Sequence, residues 1–109
     1  VQTGAEVVDS VVMQDVVVGR SAHIHRAILD KFVRVGEGAA LGAGDRSSDP
    51  ALAWLDGLTL VGKDAVIPEG TVGGPQVVVG VGAGSPDFGA GTLPPGTRIA
   101  DRVATQDLV

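Results

Sequence analysis

The stretch SVVMQDVVVGRSAHIHRAILDKFVRVGEGAALG, residues 10–42, repeats one short phrase: a small or branched residue, any residue, an aliphatic, then often glycine. The first members are Ser10, Val16, Ala22, Ala27, Val33 and Ala39. The aliphatics two places later are Val12, Val18, Ile24, Leu29, Val35 and Leu41. Successive first members are six, six, five, six and six residues apart. A period of six is too long for strand alternation and does not match the helical period of 3.6. It suits a strand of three or four residues followed by a turn, in which positions two apart share a face. The small residue and the aliphatic then point inward together, and the following glycine (Gly19, Gly36, Gly42) is expected to supply the permissive backbone of a corner.

Three such edges make a triangular coil of about eighteen residues, and coils stacked in register lie roughly 4.8 Å apart. The spacing puts Val12 on Leu29, Val18 on Val35 and Ile24 on Leu41, seventeen residues apart each time. Each buried aliphatic contributes about 1.5–3 kcal/mol. The ends of such a stack need covering, because each coil is buried by its neighbours.

Beyond residue 42 the phrase breaks and then resumes. Thr59, Ala65, Thr71 and Val77 are its next first members, and Val61, Ile67 and Val79 their aliphatic partners. Gly73 stands where an aliphatic belongs, which predicts a weak rung. The intervening AGDRSSDPALAWLDG, residues 43–57, has no hexad and reads as a loop insertion. Asp45 and Asp49 suit turns there, and residues 51–55 suit one helical turn carrying Trp54 and Leu55 against the side of the prism. The tail after Gly82 is rich in glycine and proline; Phe88, Leu93 and Ile99 are its candidates for capping the last coil, and its final ten residues suit a short helix or a frayed end.

Composition agrees with a prism. Residues 1–109 suffice for one domain, with 17 glycines, no cysteine, no tyrosine and only Phe32, Trp54 and Phe88 as aromatics. The core must be built from Val, Ile, Leu and Ala. The lack of cysteine suits a cytoplasmic location. A net charge of −5 disfavours nucleic acid and anionic membrane as partners. No apolar run has the length of a membrane span and no leader peptide is evident. A chain that opens at Val1 reads as a piece of a longer protein.

Hexads of this kind resemble those of hexapeptide-repeat proteins. That resemblance implies a single-stranded left-handed parallel β-helix, although ordinary parallel crossovers are right-handed. Two segments narrow it further. HIHRAILDKFVRVGEGAALG, residues 23–42, is similar to the R-A-I-I-D-K-N-x-R-I-G segment of the ADP-glucose pyrophosphorylase family; Arg26, Ala27, Ile28, Asp30, Lys31, Arg34 and Gly36 match, and Phe32 replaces the usual Asn. GLTLVGKDAVIPEGTV, residues 57–72, resembles the same family's G-I-V-x-V-x-K-D-A-x-I-P-x-G segment through Lys63, Asp64, Ala65, Ile67, Pro68 and Gly70. A guanylyltransferase acting on mannose 1-phosphate is a less similar relative, because the paired lysine segments favour the first family.

The resemblance implies a whole enzyme that makes ADP-glucose and pyrophosphate from ATP and glucose 1-phosphate. Its catalytic α/β domain, with a glycine-rich nucleotide loop and acidic Mg²⁺ ligands, lies N-terminal to a β-helix of this kind. Neither feature is found in these residues: GEGAALGAG and GVGAGS do not spell a dinucleotide fingerprint and read as corners. No cofactor and no catalytic residue are therefore expected within the chain. The implied role is that of a regulatory and oligomerisation domain. Its implied partners are its own catalytic domain, other copies of the chain, and a phosphorylated sugar or phosphate as effector. The family's effector lysines map onto Lys31 and Lys63. Arg26 and Arg34 flank Lys31 and supply guanidinium forks for phosphate. Half of the eight basic residues fall between Arg20 and Arg34.

The alternative is a hexapeptide-repeat acyltransferase, a class that uses a histidine base. His23 and His25 are the only histidines and flank inward Ile24, so both should leave the strand on its outer side. As a metal pair they lack two further ligands for a closed site, and no metal site is expected. The serines lack a nucleophile-elbow context. Asp9, Asp15, Asp30 and Glu37 fit a solvated surface.

Overall fold

The computed structural model describes residues 4–42, 57–84, 87–89 and 91–101. Among them thirteen short strands form three parallel sheets, and no α-helix occurs. The first face stacks β1 (Glu6–Val8), β4 (His23–His25), β7 (Ala40–Leu41), β10 (Val72–Gly73) and β12 (Thr92–Leu93). The second stacks β2 (Val11–Val12), β5 (Ala27–Leu29), β8 (Thr59–Val61), β11 (Val78–Val79) and β13 (Arg98–Ile99). The third stacks β3 (Val17–Val18), β6 (Arg34–Val35) and β9 (Val66–Ile67). The chain visits first, second and third face in turn, so each strand pairs with one a full coil away. That is a three-sided parallel β-helix, as the six-residue period requires.

The register matches the stacks read from spacing: Val12 pairs with Leu29, Val18 with Val35 and Ile24 with Leu41. Val18, Ile24, Leu29, Leu41, Val61, Ile67 and Val79 fill the interior together with Ala22, Ala27, Ala39 and Ala65. Val12 departs from the expectation and is 37% exposed. It belongs to the first coil among the described residues, which has a neighbour on one side only. The buried Thr59 and Thr71 occupy small-residue positions and satisfy their hydroxyls locally; Thr71 Oγ1 donates to the Pro68 carbonyl at 2.8 Å and Thr59 Oγ1 to the Gly74 carbonyl at 3.3 Å.

Gly73 is not a defect. Its β10 rung keeps the ladder with β7 and β12, and a Cβ built there would meet Leu41 Cδ2 at 3.0 Å. The neighbouring leucines already fill the space that the missing side chain leaves.

The corners correct the sequence reading. Of the glycines directly after an aliphatic, Gly42 carries the left-handed backbone as expected, with φ 84°, whereas Gly19 and Gly36 do not. Gly19 and Gly36 are small because the next coil passes too close: a Cβ at Gly36 would lie 2.5 Å from the Glu69 nitrogen. The positive φ falls two residues later, at Ser21 (59°), Phe32 (63°), Gly38 (71°), Asp64 (63°) and Gly70 (70°). At Ser21 and Asp64 the turn closes with a hydrogen bond, from Ala22 N to Gly19 O and from Ala65 N to Gly62 O, both at 3.2 Å. A β-turn with positive φ at its third residue has this pattern. Phe32 holds that third position without glycine's freedom, which explains why the family segment has Asn there.

The tail also differs from expectation. Leu93 and Ile99 do not plug the end; they continue the first and second faces, where Leu93 pairs with Gly73 and Ile99 with Val79. Residues 93–97 (LPPGT) repeat residues 67–71 (IPEGT), down to a threonine hydroxyl donating to the proline carbonyl, from Thr97 to Pro94 at 2.6 Å. Phe88 is buried, and among the described residues no third-face strand lies between β11 and β12. The expectations for Asp45, Asp49, Trp54 and Leu55, and for the end of the tail after residue 101, lie outside the described residues. The elements flanking the insertion, β7 and β8, belong to adjacent faces.

Candidate functional site

Lys31 and Lys63 share a corner. The register of Leu29 on Val61 places them in the same position of consecutive coils, and the Asp64 N–H donates to the Lys31 carbonyl at 3.1 Å. Coils in a parallel ladder are about 4.8 Å apart, so the two lysine backbones lie side by side at this corner. The Asp30 carboxylate accepts the Lys31 N–H at 2.7 Å and fixes the start of the turn.

Arg34 stands next to this corner. It is the outward residue of β6 on the third face, between Val17 and Val66 in register. These three, with Asp15, Phe32 and Asp64, line a shallow open groove. Among the described residues Lys31, Lys63 and Arg34 have no ion-pair partner, and all three are exposed. The same edge also carries the carboxylates of Asp15, Asp30 and Asp64, so cations and acids alternate along it.

Arg26 lies elsewhere. It forms the tight five-residue corner between β4 and β5, with φ 49°, its N–H donating to the Val8 carbonyl at 3.0 Å. Lys31 follows the far end of β5. The structure therefore brings Lys31, Lys63 and Arg34 together and sets Arg26 at another corner of the prism.

A second cluster lies on the first face. His23 and His25 project outward from β4 on either side of buried Ile24, as alternation requires. Glu6 joins them from β1, in register with His23. Its Oε1 is 2.9 Å from His25 Nε2 and 3.8 Å from His23 Nδ1. Glu6 was missed in the sequence reading, although the signal was present: it precedes His23 by the same seventeen residues that relate the aliphatic stacks.

Comparison with known proteins agrees with the repeat. Residues 1–54 match the family described as GlmU-like, C-terminal hexapeptide. The glucose-1-phosphate adenylyltransferase of Thermomicrobium roseum is 40% identical over 97 residues, which are 84% of this chain and 22% of that protein. That of Acetivibrio thermocellus is 38% identical over 81 residues, 72% of this chain and 19% of that protein. That of Cutibacterium acnes is 41% identical over 71 residues, covering 62% of this chain and 17% of the relative. The chain thus spans about a fifth of the length of the curated relatives it matches. No solved structure gives a significant match. No helix among the described residues is long and apolar enough to cross a membrane.

Proposed function

The chain belongs with the hexapeptide-repeat domains of the glucose-1-phosphate adenylyltransferase family, and from that premise we propose that it is the regulatory and subunit-contact part of an enzyme that makes ADP-glucose. In that reaction the glucose 1-phosphate oxygen attacks the α-phosphorus of ATP and pyrophosphate leaves. The groups that perform it, and the acidic residues that hold Mg²⁺, belong to a catalytic domain outside these residues. In this reading the coils wind with the left hand of hexapeptide-repeat proteins, and the enzyme works in the cytoplasm.

Within the β-helix, the corner formed by Lys31 and Lys63 receives the phosphate of a phosphorylated metabolite, and Arg34 adds a guanidinium from the third face. The observation that carries this is the stacking of the two lysines in consecutive coils. Flexible ammonium groups grip phosphate as point charges. Arg26 stands at a different corner and is not part of this trio. The exposed Val17, Phe32 and Val66 on the third face support contact with the catalytic domain, and Val11, Val12 and Met13 in the first coil support contact with another copy.

The test uses the full-length enzyme. Fructose 1,6-bisphosphate, glucose 6-phosphate and inorganic phosphate are each titrated while ADP-glucose formation is followed. Lys31→Ala and Lys63→Ala should each raise the concentration for half-maximal response at least about tenfold, as expected for loss of a charged hydrogen bond. Responses identical to wild type in both variants would remove the effector assignment.

A further inference from the structure

The first face carries chemistry that the effector reading does not use. We propose that Glu6, His23 and His25 form a binding site for a divalent transition-metal ion of the zinc class. The strand alternation that buries Ile24 sends both imidazoles out on one side, and the parallel register sets Glu6 beside His23 one coil away. The three ligand atoms lie within 4.8 Å of one another.

The separations suit an ion. Ligands held at about 2.0–2.2 Å around a tetrahedral centre stand roughly 3.3–3.6 Å apart. The two Glu6 distances, 2.9 and 3.8 Å, bracket that value. The side chains are half exposed, 51% for Glu6 and His23 and 36% for His25, so small rotations about side-chain bonds bring them onto an ion without moving backbone. A simple carboxylate–imidazole pair accounts for His25 alone. At 3.8 Å His23 makes no hydrogen bond to Glu6. The convergence of a second imidazole on the same oxygen is what a shared ion explains.

The neighbouring coil leaves room for it. On the side of β4 away from Glu6, His23 is paired with Ala40. His25 lies beside Gly42, where any Cβ would collide with the His25 carbonyl. Among the described residues, the partners on that side, Ala40 and Gly42, place no bulky side chain beside the imidazoles. Two imidazole nitrogens and one carboxylate oxygen favour Zn²⁺, Co²⁺, Ni²⁺ and Cu²⁺; Mg²⁺ and Ca²⁺ prefer oxygen ligands alone. Three protein ligands leave a coordination position for water or for a donor from a docking chain.

The chain, freed of metal with a chelator and exchanged into chelator-free buffer, is titrated with Zn²⁺ by calorimetry and with Co²⁺ by visible absorption. Saturable binding of one ion per chain is expected, with an intense Co²⁺ band from low coordination number and no heat with Mg²⁺. His23→Gln and His25→Gln should each weaken Zn²⁺ at least tenfold and abolish the Co²⁺ band. Glu37→Gln, an exposed acid at another corner, should leave both unchanged. Circular dichroism confirms that the variants fold, since all three positions face solvent. Absence of saturable binding, or wild-type affinity in the His23→Gln/His25→Gln double variant, would overturn the site.

Discussion

Gly36 faces the backbone of Glu69 with no space for a side chain between them: a Cβ at Gly36 would lie 2.5 Å from the Glu69 nitrogen. Gly38, two residues on, faces open space but has a φ of 71°. The two glycines in one corner thus answer different constraints, close approach in the first and backbone conformation in the second.

These constraints predict unequal costs. Gly36→Ala forces neighbouring coils apart and should destabilise by about 2–3 kcal/mol. Gly38→Ala suffers only the left-handed backbone, about 1 kcal/mol. Urea denaturation of the two variants measures the difference, and equal losses would contradict the assignment.

Phe32 lies in the groove beside Arg34 with a φ of 63° and is 42% exposed. A bulky residue gains little burial there and bears the strain of the left-handed region. Phe32→Asn should therefore raise stability by about 1 kcal/mol. For a domain of this size that corresponds to an increase in Tm of roughly 4–8 °C. A fall in Tm would mean that the ring's packing on the third face outweighs its backbone strain.

The interior should behave as a packed core at the aliphatic positions and tolerate change at Gly73. Leu41→Ala removes a fully buried side chain and should cost about 2–5 kcal/mol. Gly73→Ala has only the flexible end of Leu41 at 3.0 Å to displace, and its effect should stay within about 1 kcal/mol. Thermal and chemical denaturation distinguish the two. A loss at Gly73→Ala as large as that at Leu41→Ala would show that the rung is too tight to accept a methyl group.

If Lys31 and Lys63 grip one phosphate, their effects on the full-length enzyme are coupled. The double variant should lose less effector response than the product of the single losses, because residues serving one ligand do not act independently. Strictly multiplicative losses would indicate two separate anion contacts.

Much of this was legible in the sequence because the repeat acts through the simplest rule of strand geometry. Positions two apart share a face, so Ala22 with Ile24, and Ala39 with Leu41, had to point inward together. The seventeen-residue spacing then fixed the register that places Val18 on Val35. The reading of the corner glycine held at Gly42 and failed at Gly19 and Gly36, because glycine has two uses. The absence of a Cβ at Gly36 and the positive φ at Gly38 look alike in a sequence, and residues such as Ser21 and Asp64 take the left-handed position without being glycine. The tail was misread because prolines and glycines masked a five-residue phrase, Leu93 to Thr97, that parallels Ile67 to Thr71. At the candidate site Lys31 and Lys63 were named through the family resemblance alone, and the structure's register of β5 on β8 is what puts them at one corner. Arg26 was grouped with them because it is near Lys31 in sequence, yet one strand of β-helix carries the chain from one corner to the next. Glu6 was invisible to local reading, since its partners lie one full coil away.

The stacking of each coil in register on the next underlies the fold, the lysine corner and the histidine cluster alike. Methyl-labelled NMR tests it most directly, through contacts between Val18 and Val35 and between Ile24 and Leu41. The account predicts strong through-space cross-peaks for both pairs, with the Gly19 and Gly36 amides among the slowest to exchange with solvent. Missing cross-peaks together with rapid exchange at those amides would contradict it.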